Sequence, residues 1–142
     1  MGRYEFIEEI ALADCAFDVE GTTLDDLFET AARALVDIMV DPATVRPGVR
    51  RTITLDGSEL DLLLYDWLSE LIFRKDRDAE VFTTAKVDVS GSGPYQLVAE
   101  VEGGAIEPGT TELRADPKAV TLHQFALHRT DGGWRARVVI DI

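Results

Sequence analysis

Alternation of apolar and polar residues dominates the second half of the chain. It occurs in residues 81–91 (VFTTAKVDVSG) and 95–103 (YQLVAEVEG), and again in residues 119–130 (AVTLHQFALHRT) and 133–142 (GWRARVVIDI). A period of two residues is typical of strands with one buried face. The first pair is joined by Gly-Ser-Gly-Pro and the second by Asp-Gly-Gly, and short glycine-rich turns of this kind connect antiparallel neighbours. The pattern therefore predicts two β-hairpins.

The first half of the chain mixes strands with two helical segments. Residues 4–10 alternate apolar and acidic side chains and predict a half-buried strand, and residues 15–19 and 50–55 predict two more. Apolar residues recur at helical spacing in residues 21–42 and 56–76. We therefore expect two helices, each preceded by a strand.

Capping signals set the expected ends of the helices. Thr23, followed three residues later by Asp26, predicts the start of the first helix, and Pro42 predicts its end. Ser58 and Asp61 have the same spacing and predict a capping box at the start of the second helix.

Two helices among six or seven strands predict a single α+β domain over residues 1–142. We expect a mostly antiparallel sheet with two main helices packed on one of its faces. Apolar residues nearly encircle the second helix, so it is expected to be the buried centre of the fold, with Trp67 in the core. Residues 104–117 predict a loop.

The charge of the chain limits the kinds of partner it can bind. There are 27 acidic and 14 basic residues, and the net charge is -13. Direct binding to RNA or DNA is disfavoured, because phosphate contacts usually need a basic surface. A basic protein partner, a cation or simple solubility accounts better for the acidity. With no apolar run of membrane-spanning length, no secretion signal and the single Cys15, we expect a cytoplasmic protein that contacts no membrane.

Most motifs for catalysis or metal binding are absent from the sequence. There is no GxGxxG, P-loop, HExxH or CxxC motif. His123 and His128 are five residues apart on a predicted strand, so we expect them to face opposite sides rather than share a metal. Cys15 can be imagined as a nucleophile, but a lone cysteine is more often a small buried apolar residue.

Carboxylates at the two ends of the chain provide the best candidate for a site. Asp14 precedes a predicted strand, and Asp141 and the terminal carboxylate of Ile142 end the last one. If these two strands are neighbours, three carboxylates converge, and such a group suits a hard cation such as calcium. The alternative is that Asp14 caps a turn and Asp141 faces solvent, which is the commoner arrangement of such aspartates. The residues themselves leave both interpretations open.

Four blocks of sequence, in order along nearly the whole chain, resemble the archease family. They are Asp14 with TTLDDLFETAARALVDIM after it, then LDLLLYDWLSELIF, KAVTLHQF and the final DGGWRARVVIDI. The resemblance implies a small acidic α+β protein. It also implies a non-enzymatic cofactor that promotes guanylylation and turnover of an RtcB-type RNA ligase in tRNA splicing or RNA repair.

The resemblance also implies which residues act. A metal site, usually described with calcium, corresponds to Asp14, Asp141 and Ile142 in this sequence. Lys118, in the KAVTLH block, corresponds to a residue that can contribute to activation of the ligase. His123, in the same block, is a candidate for activation as well, and it can orient a carboxylate or line the same metal site. The alternatives are a solvated surface lysine at the start of a strand and a hydrogen-bonded strand histidine.

The chain departs from the family pattern just before Asp14. The family's His-Thr-Ala-Asp stands here as Ala-Leu-Ala-Asp in residues 11–14, so a neighbouring polar group is lost. Two other functions stay open at this point. One is a chaperone-like or interaction protein without a ligase partner, which large exposed apolar patches would favour. The other is a hydrolase that uses Asp14 and Asp141 with a divalent metal, although no nucleophile and base accompany them.

Overall fold

Seven strands and two α-helices make up the part of the chain that the computed structural model describes, residues 2–7 and 14–142. A short 3-10 helix, Pro42–Thr44, follows the first α-helix. The elements in chain order are β1 (Arg3–Ile7), β2 (Asp14–Gly21), α1 (Leu24–Met39), β3 (Val49–Gly57), α2 (Leu60–Asp78), β4 (Glu80–Gly91), β5 (Tyr95–Ala105), β6 (Ala119–Thr130) and β7 (Gly133–Asp141). The predicted α+β class is confirmed. The end of the predicted first strand, residues 8–10, lies outside the described residues.

The strands form two separate antiparallel sheets. One has the order β1-β2-β7-β6 and the other has the order β3-β5-β4. Both predicted hairpins, β4–β5 and β6–β7, are present. The expectation of a single sheet is wrong, because alternation identifies strands without specifying which strands pair. The pairing of β2 with β7 joins segments from opposite ends of the sequence.

Each helix contacts both sheets. Helix α1 contacts β2 and β7 of the four-stranded sheet and β4 of the three-stranded sheet, and α2 contacts β6 on one side and β3 to β5 on the other. The prediction that the helices cover one sheet face is therefore wrong. So is the prediction that α2 is the buried centre: α2 exposes 42% of Leu62 and 49% of Phe73, whereas ten residues of α1 are buried. Trp67 is fully buried, as predicted.

The first helix begins as its sequence predicts, and the second does not. Thr23 caps α1, and its hydroxyl accepts a hydrogen bond of 3.1 Å from the Asp26 amide. The predicted capping box at Ser58 is wrong, because the residue before α2 is Glu59, which makes no side-chain cap. Asp61 accepts instead from the adjacent amide of Leu62, at 2.8 Å.

Helix α1 also closes one edge of the three-stranded sheet. Strand β4 is an edge strand, and its Val87 and Val89 amides donate to the carboxylates of Glu29 and Asp25, each at 2.8 Å. Carboxylates four residues apart on a helix repeat at nearly the same interval as alternate amides on a strand. This contact satisfies donors that a free edge would leave open to another strand.

The predicted loop begins at residue 106 rather than 104, because β5 continues to Ala105. It is tied to the end of α1, where helix carbonyls lack partners within the helix. The Arg114 amide donates to the Met39 carbonyl at 2.8 Å, and the Ala115 amide to that of Ile38 at 2.9 Å. The loop therefore follows a fixed path to residue 118, where it meets the end of β7. Within residues 2–7 and 14–142, no helix combines the length and apolar character needed to cross a bilayer.

Candidate functional site

The sheet register places Asp14 directly opposite Asp141. They are partners at the end of the β2–β7 ladder, and Ala119 of β6 lies opposite Asp141 on its other side. Directly opposed residues on antiparallel strands have Cβ atoms about 5 Å apart on the same face of the sheet. Asp14 is thus part of a strand and not of a turn, and both aspartates are half-buried. The neighbouring strands on which a three-carboxylate site depends are therefore present.

Ile142 follows Asp141 directly, and its side chain packs against the hydrophobic core. This contact holds residue 142 at the end of β7. Asp14 and Asp141 carry like charges, and crowding of such groups is costly unless a cation is shared between them.

The donor set suits a hard cation such as calcium, which prefers carboxylate and hydroxyl oxygens. Thr121 of β6 lies opposite Val139, and alternation places it on the same face as Asp141. Its hydroxyl oxygen is buried without a hydrogen-bond partner in the structure as described. No group of three or more His, Cys, Asp or Glu side chains gathers for a metal within the described ranges, so Asp14 and Asp141 alone do not make such a group.

Lys118 reaches this strand end through its backbone. Its amide donates to the Asp141 carbonyl at 2.7 Å, one residue before β6 begins. Its side chain is exposed. The fold thus fixes the backbone of Lys118 beside Asp141 and leaves its side chain on the surface, where a partner can contact it.

His123 does not lie beside Asp14 and Asp141. It lies in an irregular part of β6, between Thr121 opposite Val139 and Ala126 opposite Arg137, so it is more than two residues along the sheet from Asp141. The prediction that His123 and His128 face opposite sides depends on strict alternation along β6. Gln124 has a φ of +56° and interrupts that alternation. His123 is exposed, and its Nε2 lies 3.5 Å from the side-chain nitrogen, Nε2, of Gln124. The alternation of β6 therefore does not fix which way His123 faces relative to His128.

Sequence reasoning missed Lys75, a buried lysine in the last turn of α2. Its ammonium donates to the Asp116 carboxylate and, at 3.1 Å, to the Pro117 carbonyl, and it pairs with Asp76 at 2.8 Å. A signal was available: Lys75 continues the helical spacing of buried Leu68 and Leu71, a place where an unpaired charge is not tolerated.

Opposing effects act on the pKa of Lys75. Burial lowers the pKa, and the hydrogen bonds and negative charges of Asp116 and Asp76 raise it by more, so the group stays protonated. The Lys75 ammonium in turn lowers the pKa of the Asp116 carboxyl. The contact between α2 and the loop is therefore an ion pair throughout the neutral range.

Further along the same sheet, Asp18 is held between two arginines. Its carboxylate accepts from Arg137 at 2.8 and 2.9 Å and from Arg135 at 3.1 Å. Hydrogen bonding to Arg137 lowers the pKa of Asp18, and Arg135 adds to this in spite of partial burial. Asp18 is thus committed to a cross-strand ion pair and is not available as a ligand.

Cys15 behaves as an apolar residue. It packs against the core next to Asp14, and burial raises the pKa of its thiol. A raised pKa keeps the thiol protonated, which opposes a role as a nucleophile. The structural interpretation of Cys15 therefore accounts for its environment.

These features define a small α+β protein that carries carboxylates at the joined ends of its chain. The profile of the Archease protein family matches residues 4–142. The "Protein archease" of Methanosarcina mazei is 35% identical over 99% of this chain and 96% of its own length. That of Archaeoglobus fulgidus is 34% identical over 99% of both. The chain belongs to the archease family.

Two solved structures have the same fold. The solution structure of Methanobacterium thermoautotrophicum protein 1598 is 32% identical, covers 98% of both chains and has a TM-score of 0.80. A crystal structure from Thermotoga maritima, described as an archease and possible chaperone, covers 97% of this chain and 98% of its own. Its TM-score is 0.65 at 16% identity, so it supports the fold alone.

Proposed function

We propose that this protein is a non-catalytic activator of an RtcB-type RNA ligase, which promotes guanylylation and turnover of the ligase in tRNA splicing or RNA repair. The observation that carries the proposal is the register that opposes Asp14 and Asp141 at the end of β2 and β7, beside Ile142. The chain belongs to the archease family, and the RtcB-type ligase is the partner that we propose from the resemblance of its sequence to that family. The acidic surface suits a basic, RNA-binding enzyme as partner rather than RNA itself.

The carboxylates of Asp14, Asp141 and Ile142 would hold a divalent cation, with calcium the proposed ion. A cation there would neutralise the like charges and tie the two ends of the chain together. Few protein ligands imply moderate affinity, so water or a partner group completes the coordination. The family's His-Thr pair, replaced in this chain, lies in residues 8–13, which are outside the described residues.

Lys118 is the proposed contact with the ligase. Its backbone is fixed to Asp141 at 2.7 Å while its side chain is exposed, so the charge is presented from a rigid support. His123 is proposed as a second, separate contact, since the register places it further along β6. No catalytic role is proposed for Cys15, because burial raises the pKa of its thiol and makes it a poor nucleophile.

The direct test is guanylylation of the RtcB-type ligase of the same organism, with and without this protein. We expect acceleration by the natural sequence and loss of it in Asp14→Asn and Asp141→Asn. Asp131→Asn, which makes the same change of charge in the exposed β6–β7 turn, is the matched control. Equal acceleration by the natural protein and the three variants would exclude Asp14 and Asp141 from the function.

The alternative is a chaperone-like or interaction protein without a ligase partner. It would use exposed apolar surface, and among the described residues the large apolar side chains with the highest exposed fractions are Leu113 (64%) and Leu122 (62%). They lie on different elements, the 106–118 loop and β6, as scattered exposed residues commonly do. Suppression of aggregation of an unrelated unfolded protein, with no effect on the ligase, would favour this alternative.

A further inference from the structure

The segment that carries Lys118 is held from one side by an ion pair with the buried Lys75. Lys75 is 8% exposed and has three hydrogens to donate. Its three acceptors are Asp76 on its own helix, and Asp116 and the Pro117 carbonyl on the loop. All three donors are therefore used, and two of them fix the residues that immediately precede Lys118.

The other side of this segment is the end of β7. The Lys118 amide donates to the Asp141 carbonyl, and Pro117, which has no amide hydrogen, is buried between the two anchors. The short segment of residues 116–118 is thus attached to Lys75 at one end and to Asp141 at the other. A displacement at the end of α2 would be transmitted to Lys118 and to the carboxylate pair.

We propose that Lys75 is a positioning residue, which acts through Asp116 and Pro117 to hold Lys118 against Asp141 in the geometry that the ligase contacts. This inference rests on the proposed function for its biological meaning. Its physical content, the dependence of the Lys118–Asp141 contact on Lys75, is independent of any ligase.

Three variants separate this role from simple destabilisation. Lys75→Met removes the charge and keeps the length of the side chain. Asp116→Ala removes the partner of Lys75 on the loop. The Asp116 side chain is 80% exposed, so its removal leaves no cavity, and this variant should stay folded even if Lys75→Met does not. Arg74→Met is the matched control: Arg74 is adjacent on the same helix and pairs at 2.7 Å with Glu70, within α2.

Hydrogen exchange measures the contact itself. In Lys75→Met and Asp116→Ala we expect the Lys118 amide to exchange at least about tenfold faster, as an amide freed by local opening does. The amide of Val138, in the middle of β7, should keep its rate, and Arg74→Met should change neither. Unchanged exchange of Lys118 in Asp116→Ala and in folded Lys75→Met would overturn the inference.

Ligase activation gives the second readout. We expect the maximal activation at saturating protein to fall about tenfold in Lys75→Met and Asp116→Ala, which is the lower end of the cost of losing a group that orients a metal ligand. A variant that is merely less folded would reach the natural maximum at a higher concentration. If the natural protein does not activate the ligase, the proposed function fails, and the exchange of Lys118 still decides whether Lys75 positions it.

Discussion

Asp14 and Asp141 come from opposite ends of the sequence and lie directly opposite one another on β2 and β7. If they share a cation with the carboxylate of Ile142, affinity for calcium depends on each of them. We expect Asp14→Asn, Asp141→Asn and deletion of Ile142 each to weaken calcium binding at least about tenfold, because affinity follows the number of charged ligands. Titration calorimetry measures this directly.

The matched control for that titration is Asp131→Asn, which lowers the negative charge by the same amount in an exposed turn. It should bind calcium like the natural protein. Equal binding by Asp141→Asn and Asp131→Asn would mean that calcium responds to overall acidity and that the opposed pair is not its site.

The ion pairs of Asp18 with Arg137 and Arg135 predict a pH dependence of stability. The pKa of Asp18 is lower in the folded protein than in the unfolded chain, so its contribution is present above the unfolded value and is lost as the pH falls through the folded one. We expect Asp18→Asn to cost about 1 kcal/mol at neutral pH, since the arginines are partly exposed, and to lose less stability than the natural protein below about pH 4. Urea unfolding at a series of pH values tests this, and parallel curves for the two proteins would contradict it.

Trp67 joins the two helices by a buried hydrogen bond. Its indole nitrogen donates to the Phe28 carbonyl at 3.0 Å, and the side chain is fully buried. Trp67→Phe removes the donor and leaves a small void, so we expect the free energy of unfolding to fall by about 1–3 kcal/mol. Trp134→Phe, at a half-buried position, should cost less in the same denaturation experiment. Equal costs would mean that the hydrogen bond to Phe28 contributes little.

Asp25 and Glu29 each protect one amide of the β4 edge. In Glu29→Ala we expect faster hydrogen exchange at Val87 with little change at Val89, and in Asp25→Ala the reverse, because each carboxylate accepts from one of the two amides. Each variant is thus the control for the other. Equal effects on both amides in either variant would indicate general loosening of α1 rather than local capping.

Local patterns in the sequence predicted the elements better than their arrangement. Thr23 caps α1 as expected because its bond to Asp26 is a local interaction. The division into two sheets depends on which strands pair, and the β2–β7 pairing is non-local. Ser58 failed as a cap because α2 begins one residue later than its spacing required.

In the candidate site, too, the sequence predicts the residues better than their arrangement. The sequence identified Asp14 and Asp141 as candidates, but only the register shows that they are neighbours. Lys75 was overlooked because its acceptors, Asp116 and Pro117, belong to a loop with no periodicity. The displacement of His123 along β6 depends on an irregular segment with a positive φ at Gln124, which alternation does not predict.

The place of β7 in the middle of its sheet has a consequence for the order of events during synthesis. The three-stranded sheet needs no residue beyond 105, so it and both helices can pack while the rest of the chain is still being made. Strands β2 and β6, in contrast, meet only through residues 133–141. Until this last strand leaves the ribosome, Asp14 has no carboxylate opposite it. The proposed cation site is therefore formed when β7 joins β2 to β6. A chain that ends before β7 has neither the cation site nor the complete four-stranded sheet.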